Sequence, residues 1–186
     1  AMLTATRHPE VVERLVLVDP ALPPPSLVKL HPEVWLKLAG PTIPLAGPRL
    51  MRLYHRTHTP EEHNKESLAF ICADPDTVEP AMAHASLEMT RLRRTIPWAV
   101  DGFVEAARSI AAYSLNRKRF DDLVHRVTQP TLLIHGAEDQ LVPVGAAQRI
   151  AAMRPDWDVR VWEGIGHVPM IEDQARFTAE LVDYLG

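Results

Sequence analysis

Three short runs of apolar residues stand out from a chain that otherwise alternates between helical patterning and prolines. "RLVLVDP" (Arg14 to Pro20), "QPTLLIHG" (Gln129 to Gly136) and "WDVRVWEG" (Trp157 to Gly164) are each four to six apolar or β-branched positions closed by a proline or glycine. The first two are nearly continuous in hydrophobicity, which suits strands buried on both faces of a parallel sheet; the third alternates in part. Between and after the last two runs the period lengthens to that of a helix. Val144 to Met153 is predicted as one helix, with Pro143 in its first turn. Asp173 to Leu185 is another, and it sets Phe177, Leu181, Tyr184 and Leu185 on one face. Ala1 to His8 reads as the last turns of a helix stopped by Pro9. Strand, helix, strand, helix in succession predicts a right-handed α/β arrangement.

The stretch between the first two strands differs in texture. Residues 22–127 are predicted to be helix-rich and are broken repeatedly by proline, which accounts for most of the seventeen prolines in 186 residues. Within it, "WAVDGFVEAARSIAAYSLN" places Phe103, Ala106, Ala107, Ile110 and Ser114 on one helical face. A helical block inserted between two parallel strands sits at the carboxyl edge of a sheet, where α/β proteins place their sites. The organisation expected is therefore core (1–21), helical insertion (22–127) and core (128–186).

Bulk properties narrow the function. A chain that is 46% hydrophobic can bury one ordinary core. A net charge of -4 and a pI near 6.1 give no reason to expect nucleic acid or an anionic membrane as partner. The single cysteine, Cys72, allows no internal disulfide and fits a cytoplasmic setting. No apolar run approaches the roughly 18 residues needed to span a bilayer.

Two loops carry candidate chemistry. "LLIHGAEDQLVP" puts Asp139 just past the end of one strand, and "EGIGHVP" puts His167 just past the end of the next. In a parallel sheet both loops leave the same edge, so the side chains can meet. A carboxylate that accepts from one imidazole nitrogen fixes the tautomer and frees the other nitrogen to act as a base. Asp19, at the end of the first strand, is the alternative acid, with a turn or capping role as the commoner reading of "VDP". His55, His58 and His63 in "YHRTHTPEEHN" fit no standard zinc spacing and are expected on a solvated surface.

The order strand, G-x-x-D, helix, strand, G-x-G-H-x-P and final helix resembles the C-terminal part of the α/β-hydrolase fold, and "RHPEVVERLVLVDPA" resembles the segment that follows that family's nucleophile-bearing helix. The fold this implies is an α/β-hydrolase parallel sheet of three strands with a helical cap (22–127) inserted. The resemblance assigns Asp139 as the triad acid and His167 as the triad base. It also implies a substrate pocket, to which Val142 and Val168 would contribute by adjacency. Trp35 and Trp98, with Met51, Met82 and Met89, would form its roof from the cap. Tyr54 and Tyr113 lie where epoxide hydrolases keep oxirane-polarising tyrosines, although ordinary packing explains them as well.

The family's G-x-S-x-G elbow is not found in this sequence, since none of its serines is flanked by the two glycines. The nucleophile and oxyanion-hole amides are thus expected upstream of Ala1, in an N-terminal half present as a further segment or a separate chain. Without it the first strand would show an open edge, and the chain alone is expected to be unstable and inactive. The activity implied is hydrolysis of a small apolar carboxylic ester with no metal or organic cofactor. An aspartate nucleophile would instead imply an epoxide hydrolase or haloalkane dehalogenase, and a non-catalytic ligand-binding protein of the same fold is the reading outside enzymes.

Overall fold

The computed structural model describes residues 1–24, 40, 43, 46–114 and 116–186. Helix α1 (Met2–Arg7) ends before Pro9, and after one 3-10 turn the chain enters β1 (Leu15–Val18). Among the described residues four longer helices follow: α2 (Ala46–Thr57), α3 (Pro60–Ile71), α4 (Pro80–Thr95) and α5 (Ala99–Ser114). Helix α6 (Arg117–His125) leads back to β2 (Thr131–Gly136). The chain then runs through α7 (Val144–Met153), β3 (Asp158–Trp162), the single turn α8 (Pro169–Glu172) and α9 (Gln174–Leu185).

The sheet has the order β1-β2-β3 and is parallel throughout. Leu15 pairs with Thr131 and Val18 with Ile134, while Leu132 pairs with Asp158 and Gly136 with Trp162. All six residues of β2 are buried, as expected of a central strand covered on both faces. Alternation then sorts the side chains. Leu15, Leu17 and Leu133 face a core built with Ala5, Phe120, Val124, Ala146, Ala147 and Ile150, so α1, α6 and α7 cover that side. Leu132 and Ile134 face the other way, against Trp162, Ile165, Phe177 and Tyr184, with α9 as cover. The outer edge of β1 is unpaired among the described residues.

A third, smaller cluster joins the helical insertion to the sheet. Leu68, Cys72 and Val78 pack with Ile71, Met82, Val168 and Ile171, so the end of α3 rests on the loop that holds His167. Burial drives the Cys72 thiol up to about 11, and Cys72 serves here as packing.

Two readings of the insertion need correction. In α5 the buried residue is Val104, whereas Phe103 and Ile110 are about half exposed at 51% and 50%. The helix is apolar on more than one side, and the shorter face with Val104 is the one that packs among the described residues. The three histidines likewise do not form a solvated surface. Tyr54 stacks on His58 with ring centroids 4.1 Å apart and meets His63 edge-on at 5.2 Å, while His55 and His63 lie 5.4 Å apart. The Tyr54 hydroxyl donates to Glu66 at 2.5 Å, and Arg94 donates to the carbonyls of His55, His58 and Thr59.

This cluster makes stability depend on pH. Burial, with the neighbouring Arg94 charge, lowers the pKa of His55 and His63 below the ordinary 6.5. The unfolded chain therefore binds more protons than the folded one, and stability falls as pH drops through about 6.5. Thermal unfolding is expected at a lower temperature at about pH 5.5 than at about pH 7.5. In a His55→Asn/His63→Asn protein that difference should shrink. An unchanged difference would mean that other groups carry it.

Candidate active site

The site is assembled where β1, β2 and β3 end. Gly136 closes β2, and its lack of a side chain is required, because a Cβ there would land on the carbonyls of Ile165 and Gly166. This close approach lets the loops after β2 and β3 cross-bond. Ala137 N–H donates to Trp162 O at 2.9 Å, and Glu138 N–H to Ile165 O at 3.0 Å. The Glu138 carboxylate in turn accepts from Ile165 N–H at 3.1 Å. Gly166 has the same constraint from the other side, since a Cβ would lie 2.5 Å from the Ile71 carbonyl oxygen. His167 N–H donates to that same oxygen at 2.6 Å, and Glu172 accepts from Gly166 N–H at 2.9 Å and Ala73 N–H at 2.7 Å. The His167 loop is thus held by the sheet on one side and by the end of α3 on the other.

These contacts bring the two sequence candidates together. His167 Nδ1 and Asp139 Oδ2 are 2.8 Å apart. The other oxygen of Asp139 accepts from the N–H groups of Leu141 at 2.8 Å and Val142 at 3.0 Å. A carboxylate accepts and does not donate, so Nδ1 carries the proton and Nε2 is left with a lone pair. The Asp139 side chain is fully buried while that of His167 is 27% exposed, so the pair is dry at one end and accessible at the other. Burial of His167 opposes its charged form, but the hydrogen bond and charge of Asp139, with smaller help from Asp19 and Glu172, outweigh this and raise its pKa above 6.5.

Behind the pair lies a second one. Asp19 sits at φ 38° and accepts from Gly136 N–H at 2.9 Å through Oδ1. His135, fully buried, lies between the two aspartates: Nε2 donates to Val142 O at 2.9 Å, and Nδ1 is 3.3 Å from Asp19 Oδ1 without the alignment of a hydrogen bond. Burial lowers the His135 pKa and raises that of Asp19 to about 7. Asp19, His135 and Asp139 form the grouping of possible metal ligands among the described residues, with atoms within 4.8 Å of one another. Their donor set is committed otherwise, because His135 Nε2 is bonded to a carbonyl and both Asp139 oxygens already accept hydrogen bonds.

The expected pocket residues scatter. Val142 is buried in the core, where its backbone serves Asp139. Val168 packs under α3, Trp98 is 69% exposed, and Trp35 lies outside the described residues. A cleft of about 500 Å³ lies between the turn at Thr77 and α8, lined in part by Glu79, Glu172 and Asp173. It includes neither Asp139 nor His167. Sequence reasoning missed His135, Glu138 and Glu172. Glu138 directly neighbours Asp139, His135 lies four residues before it, and Glu172 closes the "GHVPMIE" stretch.

Comparison with known proteins bears on the fold. A family model described as serine aminopeptidase, S33, matches residues 1–174. A 2-hydroxy-6-oxononadienedioate/2-hydroxy-6-oxononatrienedioate hydrolase of Cupriavidus pinatubonensis is 28% identical over 189 aligned positions, which cover 100% of this chain and 58% of the relative. Among solved structures, a meta-cleavage product hydrolase from Pseudomonas fluorescens IP01 superposes with a TM-score of 0.63 at 21% identity, covering 99% of this chain and 59% of the other. A thermophilic esterase from Thermogutta terrifontis gives 0.65 at 20% identity with the same coverage. The chain thus spans somewhat more than half the length of these relatives, over its carboxyl-edge loops as well as its sheet, and it belongs to the α/β-hydrolase family.

Proposed function

We propose that the full-length protein is a hydrolase that transfers an acyl group to water, with His167 as its acid–base residue and Asp139 as the carboxylate that orients it. The observation that supports this reading is the 2.8 Å contact between His167 Nδ1 and Asp139 Oδ2, with Nε2 left as a base on an accessible face. Among the described residues no hydroxyl or thiol is hydrogen-bonded to His167. The nucleophile, which we take to be a serine, then comes from a segment preceding residue 1 or from a companion chain. The same segment would supply the oxyanion donors and cover the free edge of β1.

The steps follow from the tautomer. The nucleophile's oxygen attacks the substrate carbonyl as its proton passes to His167 Nε2. The imidazolium is stabilised by Asp139 at Nδ1, and it then returns the proton to the leaving group as the tetrahedral intermediate collapses. Water repeats the cycle and frees the acid. The relatives suggest an oxo acid of the 2-hydroxy-6-oxononadienedioate kind. That compound holds no ester, so water enters at its ketone carbonyl and the leaving group is a carbon that must take a proton. A carboxylic ester places the same demand on His167 with an alkoxide leaving. Residues 22–127, as a cap, would choose between such substrates by shape.

The full-length protein should be assayed with such an oxo acid and with a simple aryl ester. Turnover of neither would sink the proposal. Because the unprotonated base is the working form, kcat/KM is expected to rise with pH on a limb whose apparent pKa lies above 6.5, in the direction set by Asp139. A limb below the ordinary histidine value would assign the base elsewhere.

A further inference from the structure

Two buried polar atoms are left without hydrogen-bond partners beside the acid–base pair: Asp19 Oδ2 and His135 Nδ1. Buried groups of this kind are nearly always satisfied, so each calls for an explanation. The tautomer of His135 supplies one. Its Nε2 faces the Val142 carbonyl, which only accepts, so the ring hydrogen is on Nε2 and Nδ1 offers a lone pair. That lone pair lies 3.3 Å from a carboxylate oxygen of Asp19, and a second carboxylate, Asp139, has an oxygen within 4.8 Å of both groups. Three acceptors converge with no donor among them. One proton relieves the repulsion between the two carboxylates, and a fully buried imidazolium is the costlier place to put it.

We propose that Asp19 is a positioning residue for the acid–base pair: its carboxyl group carries a proton shared with Asp139 and so fixes the carboxylate that serves His167. This rests on the reading of Asp139 and His167 given above. The connections run from one carboxylate to the other. Asp139 Oδ1 accepts from Leu141 and Val142 N–H, Val142 O accepts from His135, His135 abuts Asp19, and Asp19 is anchored by Gly136 N–H. The charged and titratable groups facing Asp19 are Asp139 and His167, with neutral His135 against it. Burial, the largest influence, moves Asp19 to about 7, so the neutral acid is a populated form at physiological pH.

Two substitutions separate this role from mere structure. Asparagine and glycine both tolerate a φ of 38°, so neither adds backbone strain. Asp19→Asn keeps an acceptor for Gly136 and a donor for Asp139, whereas Asp19→Gly removes both. In the full-length protein Asp19→Gly is expected to lower kcat about tenfold with KM nearly unchanged, and Asp19→Asn to recover most of that loss. The decisive reading is by NMR and needs no turnover. The Asp19 carboxyl carbon should titrate near neutral pH, and the His167 imidazole should shift in two overlapping steps that become one in Asp19→Asn.

An Asp19 carboxyl that stays ionised down to about pH 5, or a His167 titration identical in wild type and Asp19→Asn, would overturn the inference. Asp19→Asn failing as badly as Asp19→Gly would also overturn it. Turnover that survives His167→Ala would instead bring down the underlying reading, whatever the Asp19 titration shows.

Discussion

In the full-length protein, Asp139→Asn is expected to reduce kcat by about 10⁴-fold while leaving KM and folding close to wild type. The asparagine oxygen can still accept from the N–H groups of Leu141 and Val142, so the loop keeps its shape. Its amide nitrogen, however, now faces His167 Nδ1 where a carboxylate oxygen stood 2.8 Å away. An amide N–H donates, so His167 must present a lone pair at Nδ1 and carry its hydrogen on Nε2. The atom that should take the nucleophile's proton is then already protonated. His167→Ala should cost at least as much, and the double variant little more than either alone, because the two residues act as a unit. Steady-state kinetics with far-ultraviolet circular dichroism on the same samples checks this. A folded Asp139→Asn protein with near wild-type kcat would mean that Asp139 only ties down its loop.

The second large effect is on stability. Gly136→Ala would force a methyl group into the carbonyls of Ile165 and Gly166, which are backbone atoms and cannot turn aside. The loops must separate, at a cost of about 3 kcal/mol or more. For a chain of this size that is roughly 6–12 °C in Tm by calorimetry. Separation also breaks the bonds from Ala137 to Trp162 and from Glu138 to Ile165, so Asp139 and His167 lose register and turnover falls with stability. Gly164 provides the contrast. It has a φ of 74° with nothing within 4 Å of an added Cβ, so Gly164→Ala is expected to cost only about 1 kcal/mol through its backbone. Equal destabilisation by the two would show that loop contact at Gly136 is not the determinant.

The contrast between core and insertion shows what a sequence discloses. The strands were legible because β2 is buried on both faces, so hydrophobicity alone marks it out, and β1 and β3 follow from spacing and terminating glycine or proline. Asp139 and His167 were legible because parallel strands deliver successive loops to one edge, which needs no tertiary detail. In α5 the apolar residues fall on more than one face, and only packing selects Val104 over Phe103. The histidine cluster gave no sign either, since its contacts run from α2 to α3 and α4 and not along one helix. Asp19 stood out only as an alternative acid and His135 not at all, for a different reason. Their meaning lies in unpartnered atoms, which appear only when distances and donors are known.

The bonds joining the His167 loop to the end of α3 divide the insertion unequally. His167 N–H on Ile71 O, Glu172 on Ala73 N–H, and the contact of Gly166 with Cys72 make the Leu68–Ala73 stretch part of the frame that holds His167. An engineer exchanging this insertion for one from another member of the family should therefore leave that stretch in place and cut beyond it. A graft whose seam falls inside Leu68–Ala73 would reset His167 together with the specificity it was meant to change, whereas one with seams on either side could swap substrates on an unaltered chassis.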